Sequence, residues 1–421
     1  MTKRTRTIIF LVCLFLFISI APTAIFYSQG YRFDFETKKI TQTGGLFLKT
    51  EPKQVEVFID GKLKKKTDFF FGSALIENLL PKKYKIQIKK EGYYPWEKNL
   101  EIREREVTEA KKIVLIPVNP NFNILTGEVK DFWFSPDERK IILKENPPAD
   151  GETGWALKLY DLEKNVKSHL VEEKDVYSKG ADLLGLEFSP DSKEIYLNIG
   201  MKEQEKNFVL GLDKVPPVLT ERKITPQTED IVTSQVFNGE NYYLDNSGHL
   251  FKNEERLTEK PFPVKLEVEY ALEIFPGLVF LHEGQVLYQF NPDSKSFEKF
   301  FEPIKDLKIS PDYKKIVYFS DYEIWILFLE KISDQPKRES RDKLFLIRLS
   351  EQIKDCFWLN SDYLIFNAAN KIKIAEIDDR DRINIVDIAE FKTPKIFWNQ
   401  LDKKLYVLSD GNFYQSGSLL P

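Results

Sequence analysis

Thiols are nearly missing from this sequence: among its 421 residues are two cysteines, Cys13 and Cys356. Cys13 lies in an apolar run near the N-terminus and Cys356 stands alone, so the rest of the chain has no disulfide framework. Histidine is almost as scarce. His169, His249 and His282 lie far apart, none in H-x-x-H or H-E-x-x-H spacing, and each reads as a surface or loop residue. The G-x-S-x-G elbow of serine hydrolases is lacking, as are a glycine-rich phosphate loop and a dinucleotide fingerprint. Long Ala-rich or Leu-rich stretches of helical period are lacking too, which turns the reading away from helical folds. No catalytic residue, cofactor or metal site is expected.

What is present favours strands. Hydrophobic residues make up 42% of the chain, enough for a core, and aromatics make up 14%. Rings and β-branched residues suit pleated, half-buried surfaces. Charge is unevenly spread. Residues 1–45 carry a net +4, residues 46–116 a net +5 and the remainder −13. An acidic rear body argues against a nucleic-acid platform, and no nucleic-acid partner is expected.

Lys3, Arg4 and Arg6 precede an apolar run from Ile8 to about Tyr27, and no acidic residue appears before Asp34. About 20 such residues span a bilayer as a helix whose backbone satisfies its own hydrogen bonds. Basic residues ahead of the run place the N-terminus in the cytoplasm and the bulk of the chain outside, as a single-pass cell-membrane protein. A cleaved signal peptide is the rival reading. Pro22 and Thr23 between Ala21 and Ala24 spoil a clean cleavage site, and Val12 before Cys13 does not suit lipoprotein processing. An uncleaved signal anchor is preferred.

From Leu46 to Ile116 the pattern has period two. Val55, Val57 and Ile59 alternate with Glu56 and Phe58, and Asp60-Gly61 then marks a hairpin. Tyr84, Ile86 and Ile88 alternate with Lys85, Gln87 and Lys89 before Gly92. The ordered set Thr50-Glu51-Pro52, Ile59-Asp60-Gly61, Thr67, Leu80-Pro81, Tyr84-Lys85-Ile86-Gln87-Ile88 and Gly92-Tyr93 resembles a PEGA domain. The name-giving tetrad departs from the pattern, since Pro52-Lys53-Gln54-Val55 lacks the Gly-Ala pair. The resemblance implies a small β-sandwich module of surface and envelope proteins, without catalysis. Lys62, Lys64, Lys65 and Lys66 follow the hairpin. They read either as a contact for anionic wall polymer or lipid headgroups, or as lysines guarding a solvated edge strand. Tyr93, Tyr94 and Trp96 read as core or half-core, with a ligand platform as the alternative.

The remainder is repetitive. Phe134-Ser135-Pro136-Asp137, Phe188-Ser189-Pro190-Asp191 and Ile309-Ser310-Pro311-Asp312 each lead into a second apolar strand. Proline presets the turn, and serine and aspartate bind nearby backbone, so these residues read as structural. Weaker copies centre on Trp358-Leu359-Asn360, Trp398-Asn399-Gln400, Phe237-Asn238-Gly239 and Phe275-Pro276-Gly277. The units resemble the TolB/WD-type propeller repeat, which implies about four strands per blade. Seven blades is the preferred count, with six and eight open, and a strand near Phe122–Leu125 is expected to complete the short last unit. Asp378, Asp379 and Asp381 crowd one loop, but Arg380 and Arg382 interleave, which disfavours calcium.

The expected protein is all-β: a basic tail and transmembrane anchor over 1–30, a linker or β segment over 31–45, a PEGA-like sandwich over 46–117 and a β-propeller over 118–421. The expected function is a membrane-anchored, extracytoplasmic binding or scaffold protein of the cell envelope that recognises a protein or cell-wall glycan. The alternative is a glycosidase or lyase with paired carboxylates in the propeller channel.

Overall fold

A computed structural model describes residues 3–147, 154–177, 180–201, 204–213, 217–222 and 230–420. Helix α1 (Lys3–Ser28) is exposed all round and is long and apolar enough to cross a membrane; a signal sequence has the same character. A short hairpin of β1 (Tyr31–Asp34) and β2 (Lys39–Gln42) follows.

The next domain is a two-layer sandwich. Its strands are β3 (Gly44–Glu51), β4 (Glu56–Ile59), β5 (Lys62–Lys66), β6 (Ser73–Leu79), β7 (Lys83–Lys89), β8 (Trp96–Glu101) and β9 (Val107–Val114). One sheet runs β5-β4-β7-β8 and the other β6-β3-β9, with β3 and β9 parallel. The alternation in the sequence does the sorting: Val57, Ile59, Tyr84, Ile86 and Ile88 point inward and meet Leu46, Leu48, Ala74 and Ala110 from the facing sheet. Asp60 (φ 49°) and Gly61 (φ 75°) make the β4–β5 turn, both in the left-handed region that this hairpin type requires.

Among the described residues, 122–416 fold into seven four-stranded antiparallel sheets. Six are consecutive meanders. The first strands of these sheets are Val129–Phe134, Ala181–Phe188, Ile231–Phe237, Tyr270–Phe275, Asp306–Ile309 and Ile353–Asn360. The seventh combines Lys395–Asn399, Lys404–Ser409 and Asn412–Ser416 with Phe122–Thr126, which pairs with Asn412–Ser416 as the outer strand. N-terminal and C-terminal segments thus share a sheet, which removes an open edge from the array. Neighbouring sheets approach each other at their first strands, as at Ile353–Asn360 against Lys395–Asn399, so those strands are the inner ones. This is a β-propeller.

The three Ser-Pro-Asp turns are copies of one geometry. Ser135, Ser189 and Ser310 are buried, and each hydroxyl donates to the carboxylate of Asp137 (2.6 Å), Asp191 (2.7 Å) or Asp312 (2.5 Å). Each also accepts the backbone N–H of Lys140 (2.9 Å), Glu194 (2.9 Å) or Lys315 (3.0 Å), which opens the returning strand. The residue after each aspartate, Glu138, Ser192 or Tyr313, has φ near +58°. Weak repeats form the same hairpins: Phe237 pairs with Glu240 and Phe275 with Leu278. A one-turn helix at Glu173–Val176 has no counterpart in the repeat pattern.

Candidate functional site

Two places concentrate chemistry: the inner strands, and the junction between sandwich and propeller.

On the inner strands of the fifth, sixth, seventh and first sheets, side chains of alternating sign bridge one sheet to the next. Lys308 pairs with Asp306 on its own strand and lies 4.5 Å over the ring of Phe357 on the next. Lys395 reaches Asp131 at 2.5 Å, and donates to the carbonyl of Phe132 at 3.1 Å. Between these two lysines stands Asp355. Burial pushes its carboxyl above the ordinary range, against the pull of the Ile396 N–H, Lys308, Lys395 and Lys305. Beyond these charges, on the sixth, seventh and first sheets, comes a row of rings. Phe397 stacks on Phe134 at 3.9 Å between centroids, with Phe357 5.4 Å away. Period two explains the pairing: Lys395 and Phe397 share one face while Ile396 and Trp398 face the core. The result is a partly exposed strip, charged beside aromatic, built from four sheets.

Among the described residues, other buried carboxylates have lysine partners. Glu145 pairs with Lys158 (2.6 Å) and Lys167 (2.5 Å), Glu172 with Lys174 (2.5 Å) and Glu283 with Lys265 (2.9 Å). Among the described residues His169, Glu172 and Asp175 do place ligand atoms within 4.8 Å of one another, but the Lys174 ammonium already sits on Glu172. His282 binds Glu273 at 2.9 Å, and His249 faces Thr258 at 3.2 Å. His169 and His282 lie on strands of different sheets and His249 in a turn of a third.

The junction is where sequence reasoning missed most. Lys98 on β8 is fully buried. Its ammonium donates to the carbonyls of Asp378 (2.7 Å), Arg380 (2.9 Å) and Arg382 (2.7 Å), and pairs with Glu376 at 2.8 Å. Trp96 donates its indole N–H to the other Glu376 oxygen at 2.8 Å. Burial pushes the Glu376 carboxyl above its ordinary range, opposed by Lys98. The acidic loop is fully engaged: Asp378 is forked by Arg380, Asp379 is held by Arg338, and Asp381 accepts the backbone N–H of Asn99 at 2.9 Å. Trp96 and Tyr94 take the core and half-core places expected of them and also bond across the junction, the Tyr94 hydroxyl donating to the Asp387 carbonyl at 2.8 Å. Val114 and Ile116 join Leu359, Tyr363, Trp398 and Leu419 in one apolar cluster. A cavity of about 50 Å³ remains, lined by Trp96, Ile113, Phe328 and Arg338; it is small against the several hundred Å³ of ordinary ligand pockets. One signal was available. Trp96, Lys98 and Leu100 alternate as an inward face, so Lys98 was a lysine in a core position.

Lys62, Lys64, Lys65 and Lys66 all lie on β5, and every residue of that strand is exposed. Lys66 pairs with Glu56 at 3.0 Å, and Lys65 donates to the Leu75 carbonyl at 3.2 Å. Among the described residues Lys62 and Lys64 have no ion pair.

Sandwich and propeller together define the class: a helix-led protein of two joined all-β domains. Within it, residues 43–115 match the family described as PEGA domain. No curated protein matches the chain. Solved structures similar to it include three chains. The Cps50 (Swd1) β-propeller domain of Myceliophteria thermophila is 12% identical, covering 71% of this chain and 99% of that one, with TM-score 0.38. YCF48 from Cyanidioschyzon merolae is 10% identical, covering 70% and 98%, with TM-score 0.39. The extracellular domain of the hybrid two-component system BT4673 from B. thetaiotaomicron is 11% identical, covering 70% and 39%, with TM-score 0.43. At these scores the likenesses add nothing to the sheet topology itself.

Proposed function

We propose that this is a membrane-tethered, extracytoplasmic recognition scaffold of the cell envelope, whose propeller binds a protein partner through its inner strands. The observation that carries the reading is the strip formed by Asp131, Lys395, Asp355, Lys308 and the rings of Phe357 and Phe397. Charges of both signs beside aromatic faces offer a peptide both carboxylate and ammonium partners, and rings for its apolar side chains. Helix α1, behind a basic N-terminus, supplies the tether, and the PEGA domain supplies the spacer. A hydrolytic reading needs two carboxylates facing one substrate. The buried glutamates named above, Glu145, Glu172, Glu283 and Glu376, are each neutralised by lysine, which supports binding over turnover at those positions.

The test is capture from an envelope extract by the full-length chain in detergent, compared with a Lys308→Glu, Lys395→Glu variant. A partner retained by the parent and lost at least about tenfold in the variant, with the strand content of the variant unchanged by circular dichroism, is the expected result. Equal capture by both chains moves the site elsewhere, and turnover of a glycan panel in place of capture replaces the reading with an enzymatic one.

A further inference from the structure

The propeller grips one side of the PEGA sandwich and leaves the other bare. Contacts come from the edge strands β8 and β9: Trp96, Lys98 and Asn99 on the former, Lys112 and Val114 on the latter. The opposite edges are β5 and β6. Their connection presents Phe69, Phe70 and Phe71, which are 64%, 74% and 74% exposed, and Leu63 and Leu75 flank them in the open. Three consecutive exposed rings are an unusual feature for a soluble surface.

Nor is this a slack loop. One oxygen of Asp68 accepts the N–H groups of Phe70 (2.9 Å) and Phe71 (2.6 Å), and the other accepts the N–H (2.8 Å) and hydroxyl (2.5 Å) of Ser73. Lys53 donates to the Phe70 carbonyl at 2.7 Å. Gly72 closes the turn at φ 66°, where a Cβ would meet the Thr50 carbonyl at 2.4 Å. The backbone is spoken for, and the rings are held outward.

We infer that the β5–β6 edge is a membrane-docking face, with Phe69–Phe71 entering the headgroup region and the β5 lysines engaging anionic lipid. Charge selects the occupant. The face bears Lys62, Lys64, Lys65 and Lys66 on a segment of net +5, whereas the propeller region beyond carries −13, so an anionic bilayer attracts this edge and repels the disc behind it. Position agrees. The β1–β2 hairpin that follows α1 is fastened at the end of the sandwich where β6 finishes, by Arg32 to the Asn78 side chain (2.7 Å) and by Glu36 to Lys82 (3.1 Å), and there also meets Glu104 and Arg105 ahead of β9. Strand β6 leads from there to the phenylalanines, roughly 20 Å at about 3.3 Å per residue, so helix exit and aromatic loop bracket one edge. Aromatic rings with neighbouring lysines suit the interface between lipid and water. The inference rests on the tether proposed above.

The test uses the full-length chain in bilayers with Phe70→Trp as reporter. The fluorescence difference from the parent is read in vesicles of brominated phosphatidylglycerol or brominated phosphatidylcholine. Quenching confined to the anionic vesicles is expected, with the docked population lowered about fivefold by Lys62→Gln and about fivefold again by Lys64→Gln. No quenching in either lipid overturns the inference, as does quenching indifferent to lipid charge. Retention of the same chain after carbonate extraction reads α1 alone. Retained protein without quenching therefore sinks the docking face and spares the tether, while protein released by carbonate sinks the tether.

Discussion

Lys98 is the residue on which the domain junction turns. An ammonium out of water is tolerated only when its hydrogens and charge are matched, and here three carbonyls and Glu376 do so. Lys98→Met leaves Glu376 charged and unpaired, and should cost about 3–5 kcal/mol, read as a lower denaturant midpoint. Adding Glu376→Gln should recover part of it. The turn aspartates make a second prediction. At Asp191 the Ser189 hydroxyl and the Lys193 N–H hold the carboxyl below the usual range. At Asp312 burial acts upward but is outweighed by Lys315 and the Ser310 hydroxyl, and the carboxyl again lies low. With folded values below unfolded ones, the unfolded chain binds more protons, so stability is full above roughly pH 4 and falls as acid carries these groups through their folded values. Their share of the melting temperature should be lost between pH 7 and 3, opposed by Glu376 and Asp355, whose raised carboxyls favour the folded state on protonation. Ser310→Ala should flatten that loss and cost about 1 kcal/mol at neutral pH.

At the scale of elements, the closing strand Phe122–Thr126 is the part with least local support. Its pairing with Asn412–Ser416 joins residues nearly 300 apart in sequence, and its ring Phe122 packs edge-on to Phe391 at 5.1 Å. Phe122→Ala should cost about 1–3 kcal/mol, and amide exchange should quicken first in residues 412–416. Strands such as Lys83–Lys89 were legible because alternation writes their burial directly into the chain. The Ser-Pro-Asp hairpins were legible because a short turn needs particular residues. The third and fourth sheets were faint: there the turns are Asn238-Gly239 and Pro276-Gly277, which fix a hairpin without marking a repeat.

For the whole molecule, fold and site differ in how much the chain reveals. Repeats and periodicity are local, so the propeller shows through. The strip of Asp131, Lys395, Asp355 and Lys308 draws on four sheets, and the junction ties residue 98 to residues 376–382. Such long-range meetings leave no periodic trace. The acidic loop shows the difficulty: Asp378, Asp379 and Asp381 suggest a cation from spacing alone, and the cations prove to be Arg380 and Arg338, with the Asn99 amide completing the set. The phenylalanines at 69–71 carry no periodic signal that separates them from core residues, and only their exposure and the placement of the propeller on the far edges give them a direction.

The strand that brings the chain into the ring is the same one that seals it. Tension applied at the N-terminal helix therefore runs through the Lys98 rivet and the apolar seam of Val114, Ile116 and Leu419 before it reaches Phe122–Thr126. Past that point the load peels one outer strand and leaves the inner ones seated. Under force, this disc should fail at its fastening while the strip it displays keeps its shape.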